Sequence, residues 1–179
     1  MDNLKYAKFE KISLKNHPTL KEAWVQKIIA NDPSILGLGD LILRDKERIQ
    51  PKAGRLDLLL EETDEARRYE VEIQLGSTDE THLVRTIEYW DIERRRFPQY
   101  DHTAVIVAED ITSRFLNVIS LFNGFIPIVA LQMSALIHED SVSLVFTKII
   151  DQMALGTEEE DTPEPTDRAY WEKRGSKIS

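Results

Sequence analysis

Three strand-like segments follow one another between residues 41 and 75, and beyond them helices and strands alternate. "LILRDKERIQ" (41–50), "RLDLLLEE" (55–62) and "RYEVEIQL" (68–75) are rich in apolar and β-branched residues and are separated by short polar links. Three sequential strands followed by strand–helix alternation specify a mixed sheet flanked by helices.

The remaining elements fit around that core. "HPTLKEAWVQKIIAND" (17–32) predicts an amphipathic helix with Leu20, Ala23, Trp24 and Ile28 at helical spacing, and Thr19 and Glu22 have capping-box spacing. "STDETHLVRTIEYWDIERRRF" (77–97) predicts a long helix, with Ser77 and Glu80 at its start and Pro98 at its end. "TAVIVA" (103–108) is an unbroken apolar run, as in a strand covered on both faces. A helix over 112–124 closed by Gly124, a strand over 125–132 and a hairpin around His138–Ser141 complete the order. The expected fold is α/β, a mixed sheet with helices on it and a C-terminal β-ribbon, in one domain over 1–150. Residues 151–179 are acidic, Pro-bearing and poor in apolar residues, which predicts a disordered linker or tail. Aromatic residues return in "RAYWEKRGSKIS", so the chain either ends in a frayed tail or is a fragment that stops where a further domain begins.

Composition removes several classes of function. Without cysteine there are no disulfides and no cysteine-based zinc sites, as expected in a reducing cytoplasm. No apolar run has signal-peptide or membrane-spanning length, so the expectation is a soluble cytoplasmic protein with no membrane partner. Neither a P-loop nor a nucleophile–His–acid set is present, since "GLG" at 37–39 lacks the lysine and the four histidines are scattered. The net charge of −9 argues against tight non-specific binding of nucleic acid, yet positive charge concentrates in "RDKERIQPKAGR" (44–55) and in Arg94–Arg96.

The polar face of the strand over 68–75 is what the fold alone leaves unexplained. Val71, Ile73 and Leu75 occupy one face, and Glu70, Glu72 and Gln74 the other. If 63–66 form the loop of a hairpin, opposite residues sum to 129 and Asp57 stands across from Glu72 on the same face. Asp57 itself interrupts a strand whose Leu56, Leu58 and Leu60 form the other face. Two carboxylates this close repel, and burial raises the cost of ionising both. A protonated partner, the nearby Arg55 or Arg68, or a bound cation can offset the cost; a hard divalent cation on Asp57, Glu72 and the carbonyl of Ile73 suits the donor set best. Glu70, opposite Leu59, is expected to face solvent or to pair with an arginine.

"GRLD" and, after fourteen intervening residues, "EIQ", placed on a hairpin and followed by a capped helix, resemble the PD-(D/E)xK nuclease superfamily over residues 18–132. The resemblance implies a restriction-endonuclease-like fold and a Mg²⁺- or Mn²⁺-dependent nuclease acting on DNA. It assigns Asp57 and Glu72 as the motif's acidic ligands and places Gln74 where most members carry lysine. Leu56 replaces the motif's proline. Glu22 matches the extra acidic residue of some members, although capping would also explain it. Arg85 stands in place of the glutamine of a Gln-x-x-x-Tyr pattern that ends at Tyr89, and could restore the positive charge absent from Gln74. Glutamine has no charge and no proton to transfer; it can orient water by hydrogen bonds. Candidate nucleic-acid contacts are Lys46, Arg48, Lys52 and Arg55 on the basic hairpin, with Tyr89, whose first reading is a core aromatic. The alternatives are a catalytically weakened module that binds nucleic acid or protein, and a homodimer formed through the apolar ribbon over 133–148.

Overall fold

The computed structural model describes residues 6–153, so the expected tail lies, past its first three residues, outside the described residues. The elements are β1 (Glu10–Ile12), α1 (Glu22–Asn31), a 3₁₀ turn (Pro33–Leu36), β2 (Leu41–Gln50), β3 (Gly54–Glu62), β4 (Arg67–Ser77), α2 (Glu80–Arg96), β5 (Asp101–Asp110), α3 (Ser113–Phe122), β6 (Ile128–His138) and β7 (Ser141–Ile150). Among the described residues they form one seven-stranded sheet in the order β1-β6-β5-β4-β3-β2, with β7 on the other side of β6. Strands β2, β3 and β4 are antiparallel, whereas β4, β5 and β6 run parallel, as the spacing of links and helices requires.

Each face has its own core. On one, Val25 and Ile29 of α1 pack with Leu58, Leu60, Val71, Ile73, Val105 and Val107. On the other, Leu83 and Trp90 of α2 and Phe115 and Ile119 of α3 cover Ala104, Ile106 and Ala108. Strand β5 is therefore apolar on both sides, which is why its sequence shows no alternation.

The hairpin register is the expected one: Leu58 pairs with Val71, Leu59 with Glu70 and Leu60 with Tyr69, each pair summing to 129. Other expectations are corrected. Helix α1 begins at Glu22 behind Lys21, and no Thr19–Glu22 capping box forms, because the Thr19 amide and hydroxyl turn to His17 Nδ1 at 3.3 and 3.4 Å. For α2 the cap is Asp79, which accepts from the His82 amide at 2.8 Å, while Ser77 belongs to β4. Strand β1 was not foreseen; at three residues it is too short for a periodic signal. Most consequential, β3 does not alternate regularly. Leu58 and Leu60 join the α1 core, but Leu56 packs with Leu59 and Tyr89 beneath α2. The β2–β3 ladder passes from Lys46–Leu58 to Arg48–Leu56 without pairing Glu47 with Asp57, and Glu47 has a φ of 50°. That irregularity lies where the candidate site is.

Candidate functional site

Asp57 and Glu72 meet one step beyond the last paired residues of the hairpin, Leu58 and Val71. The Asp57 amide donates to Glu72 Oε1 at 3.1 Å, and Asp57 Oδ2 accepts from the Ile73 amide at 2.7 Å. Both are buried. Burial, opposed in part by the Ile73 amide, pushes the Asp57 carboxyl up to about 6. Burial and the charge of Asp57 push Glu72 up to about 8. The hairpin thus holds two acids that resist ionising together.

Helices α1 and α2 reach this point. From α1, Gln26, which is 3% exposed, donates through Nε2 to Asp57 Oδ1 at 2.8 Å, and its own Oε1 is buried without a partner. From α2, Arg85 Nη2 binds Glu72 Oε2 at 2.6 Å, and His82 Nε2 lies 3.2 Å from the carbonyl oxygen of Glu72. Burial lowers the His82 imidazole to about 4, which keeps it neutral, with Nε2–H donating to that carbonyl. A cleft of about 370 Å³ opens over Asp57, lined also by Glu22, Gln26, Glu47, Gly54, Arg55, Arg85 and Tyr89.

The structure sorts the remaining candidates. Glu22 lines the cleft, and its proximity raises the proton affinity of both Asp57 and Glu72. Gln74 turns away: its Nε2 donates to the Ser77 carbonyl at 2.9 Å and to Asp79 at 3.0 Å, locking the start of α2. Ile73 enters the site through its amide. Tyr89 is 1% exposed and donates to the Ala53 carbonyl at 3.0 Å, so its burial supports the core reading and not a base contact. Arg48 is drawn inward, to Glu93 at 2.9 Å and Asp45 at 3.2 Å. Lys46 and Lys52 are exposed, while Arg55 is exposed but lies 3.7 Å from Glu47. Glu70 corrects the expectation of a solvent-facing acid. It is fully buried, contacts His102 Nδ1 at 2.7 Å, and is pushed up by burial to about 7.

Gln26 was missed by sequence reading, although its i,i+4 spacing from Glu22 puts both on one face of α1. A larger cleft of about 770 Å³, lined by Arg67, Trp90, Tyr100, His102 and Phe125, shares no residue with this site.

Whether the donors suit a metal follows from their chemistry. Among the described residues, no three His, Cys, Asp or Glu side chains are clustered as a ready-made cage. Two buried carboxylates with raised proton affinity, an orphaned amide oxygen beside them and a lining of four acids (Glu22, Glu47, Asp57 and adjacent Glu72) against Arg55 and Arg85 nevertheless form a hard-oxygen, net-negative site. Such a site fits a hard divalent cation.

No protein-family model and no curated protein matches the sequence. Among solved structures the chain is similar to a complex of EndoMS with double-stranded DNA, at a TM-score of 0.52 and 16% identity, covering 62% of this chain and 44% of that one. It is also similar to a repair endonuclease from Pyrococcus abyssi, at a TM-score of 0.50 and 16% identity, covering 56% and 43%. The chain thus spans less than half the length of either. At this identity the likeness is one of fold: the mixed sheet is restriction-endonuclease-like.

Proposed function

We propose that this protein is a divalent-metal-dependent nuclease that hydrolyses phosphodiester bonds in DNA, with Asp57 and Glu72 as its metal ligands. The observation that carries the reading is the reciprocal lock between them, with the Asp57 amide on Glu72 and the Ile73 amide on Asp57. It fixes two carboxylates that no cationic side chain of the hairpin itself pairs with. The fold it shares with two endonucleases supports the reading by analogy.

In this reading Asp57 and Glu72 hold Mg²⁺ or Mn²⁺, with the Ile73 carbonyl as a further oxygen. When bound, the cation supplies Lewis-acid polarisation of a phosphate oxygen and lowers the pKa of an attacking water. Gln26 holds the Asp57 carboxylate in one rotamer, and His82 holds the backbone of Glu72. Arg85 brings the one strong positive charge in contact with Glu72 and stands where it can turn toward a phosphate. Gln74, committed to the start of α2, takes no proton. Glu22 and Glu47 are left as the acids at the cleft wall that can orient a water.

A second reading rests on Arg85. At 2.6 Å it already neutralises Glu72, as it would in a module that binds nucleic acid and has lost catalysis. Plasmid cleavage separates the two. A nuclease cuts supercoiled DNA with Mg²⁺ or Mn²⁺, stops in EDTA, and loses about 10²-fold or more in Asp57→Asn. A folded protein that never cuts under these conditions leaves the binding module.

A further inference from the structure

The basic residues that stand out in the sequence are arginines, but the structure spends them on carboxylates. Every arginine among the described residues has an acidic partner within 3.7 Å. Arg94 and Arg95, from the run that ends α2, share Asp91 at 2.8 Å, and Arg114 pairs with Glu80 at 2.9 Å. A phosphate approaching any of these also meets the partner acid, so little net attraction remains.

Lys148 pairs with Asp151 at 2.6 Å, but four lysines near the cleft behave differently. Lys21, Lys27, Lys46 and Lys52 are exposed, and none has a carboxylate partner among the described residues. Each is next in sequence to a residue that lines the cleft: Lys21 to Glu22, Lys27 to Gln26, Lys46 to Glu47 and Lys52 to Ala53. Lys27 lies in α1 and Lys21 caps it, while Lys46 and Lys52 belong to the β2–β3 hairpin, so they come from the two elements that border the cleft. Lysine also suits this task, because it meets phosphate as a mobile point charge and needs no fixed geometry.

We infer that Lys21, Lys27, Lys46 and Lys52 form a cationic rim that binds the phosphodiester backbone of nucleic acid across the cleft, and that the arginine run of α2 does not contribute. The inference takes nucleic acid as the ligand from the nuclease reading. It also explains how a chain of net charge −9 could hold a polyanion: the attraction is local and short-ranged, so it is screened steeply by salt.

The test is fluorescence anisotropy in EDTA, where nothing is cut, over a salt series with a DNA duplex and an RNA duplex of one sequence. Four variants at once (Lys21→Gln, Lys27→Gln, Lys46→Gln and Lys52→Gln) should flatten the slope of log affinity against log salt by about 3 to 4, at about 0.9 per phosphate contact. The tighter duplex identifies the backbone concerned. The control triple Arg94→Gln, Arg95→Gln and Arg114→Gln should keep the native slope, with circular dichroism showing both proteins folded. The inference is overturned if the lysine variant keeps the native slope, if the arginine triple flattens it, or if the native protein shows no salt-dependent binding. A protein that binds through these lysines yet never cuts upholds the rim and removes the nuclease reading.

Discussion

At the scale of single residues the site is a problem of charge. Asp57 and Glu72 are buried together, and the structure offsets them with one guanidinium, two backbone amides and one carboxamide. Asp57→Asn or Glu72→Gln removes a proposed metal ligand and also the repulsion. Each variant should therefore be at least as stable as the native protein without metal, yet gain no melting temperature from Mn²⁺. Arg85→Ala should split the two roles of that side chain. A partly exposed ion pair contributes up to about 1 kcal/mol, so metal affinity should rise about two- to five-fold once the competing cation is gone. Cleavage should fall about 10²-fold if Arg85 also meets the phosphate, which single-turnover kinetics at saturating Mn²⁺ would read. The acid pair was legible in the sequence, because a register that sums to 129 follows from two apolar alternations and one short loop. Gln26 was not, since a buried glutamine on a helix carries no signal until its acceptor across the fold is known.

At the scale of elements, the candidate site is built on an irregular strand. Residues 55–62 read as regular alternation, and regular alternation would put Leu56, Leu58 and Leu60 on one face. The alternation breaks between Leu56 and Leu58, so that Leu56 packs in the opposite core while Asp57 comes within reach of α1; the β2–β3 register itself shifts only between Leu43 and Asp45. No local composition announces such a break; beside it, in the neighbouring strand, Glu47 has a left-handed backbone at a φ of 50°. Gly54 starts β3 at a φ of 124°, and a Cβ there would come within 2.5 Å of the Tyr89 hydroxyl. Gly54→Ala should therefore lower stability by about 1 to 3 kcal/mol and disturb the cleft wall, measurable by urea unfolding. A second element-scale device is Glu109, which accepts from the Leu14, Lys15 and Gly76 amides at 2.7, 3.0 and 2.6 Å and ties the segment before α1 to the end of β4. Glu109→Ala leaves three donors without their acceptor, and should cost about 2 to 4 kcal/mol while the sheet itself still forms.

For the whole molecule, the mixed sheet was legible because helix and strand periodicities are strong and links are short; the buried polar layer beneath α2 was not. Glu70, expected to face solvent or to pair with an arginine, is fully buried against His102, and Glu93, also fully buried, gathers Arg48, Gln50 and Arg96 on one oxygen. Sequence periodicity counts such positions as polar and cannot tell a solvated face from a satisfied interior. The acid pair also has a global consequence. Folded-state values near 6 and 8 lie above those of free carboxyls, so the folded state binds more protons than the unfolded chain between about pH 4 and pH 8. Without metal, stability contributed by Asp57 and Glu72 is present below that window and is lost as pH rises through it. Thermal unfolding in EDTA should show a melting temperature that falls from pH 5 to pH 8 more steeply in the native protein than in Glu72→Gln.

The central claim is that Asp57 and Glu72 together hold a divalent cation. Isothermal titration of Mn²⁺ into the native protein at pH 7.5 tests it most directly, beside Asp57→Asn and Glu72→Gln. The account predicts saturable binding that weakens at pH 6, where the ligands take up protons, and that either substitution abolishes. Absence of binding to the native protein, or binding that both variants retain, would contradict it.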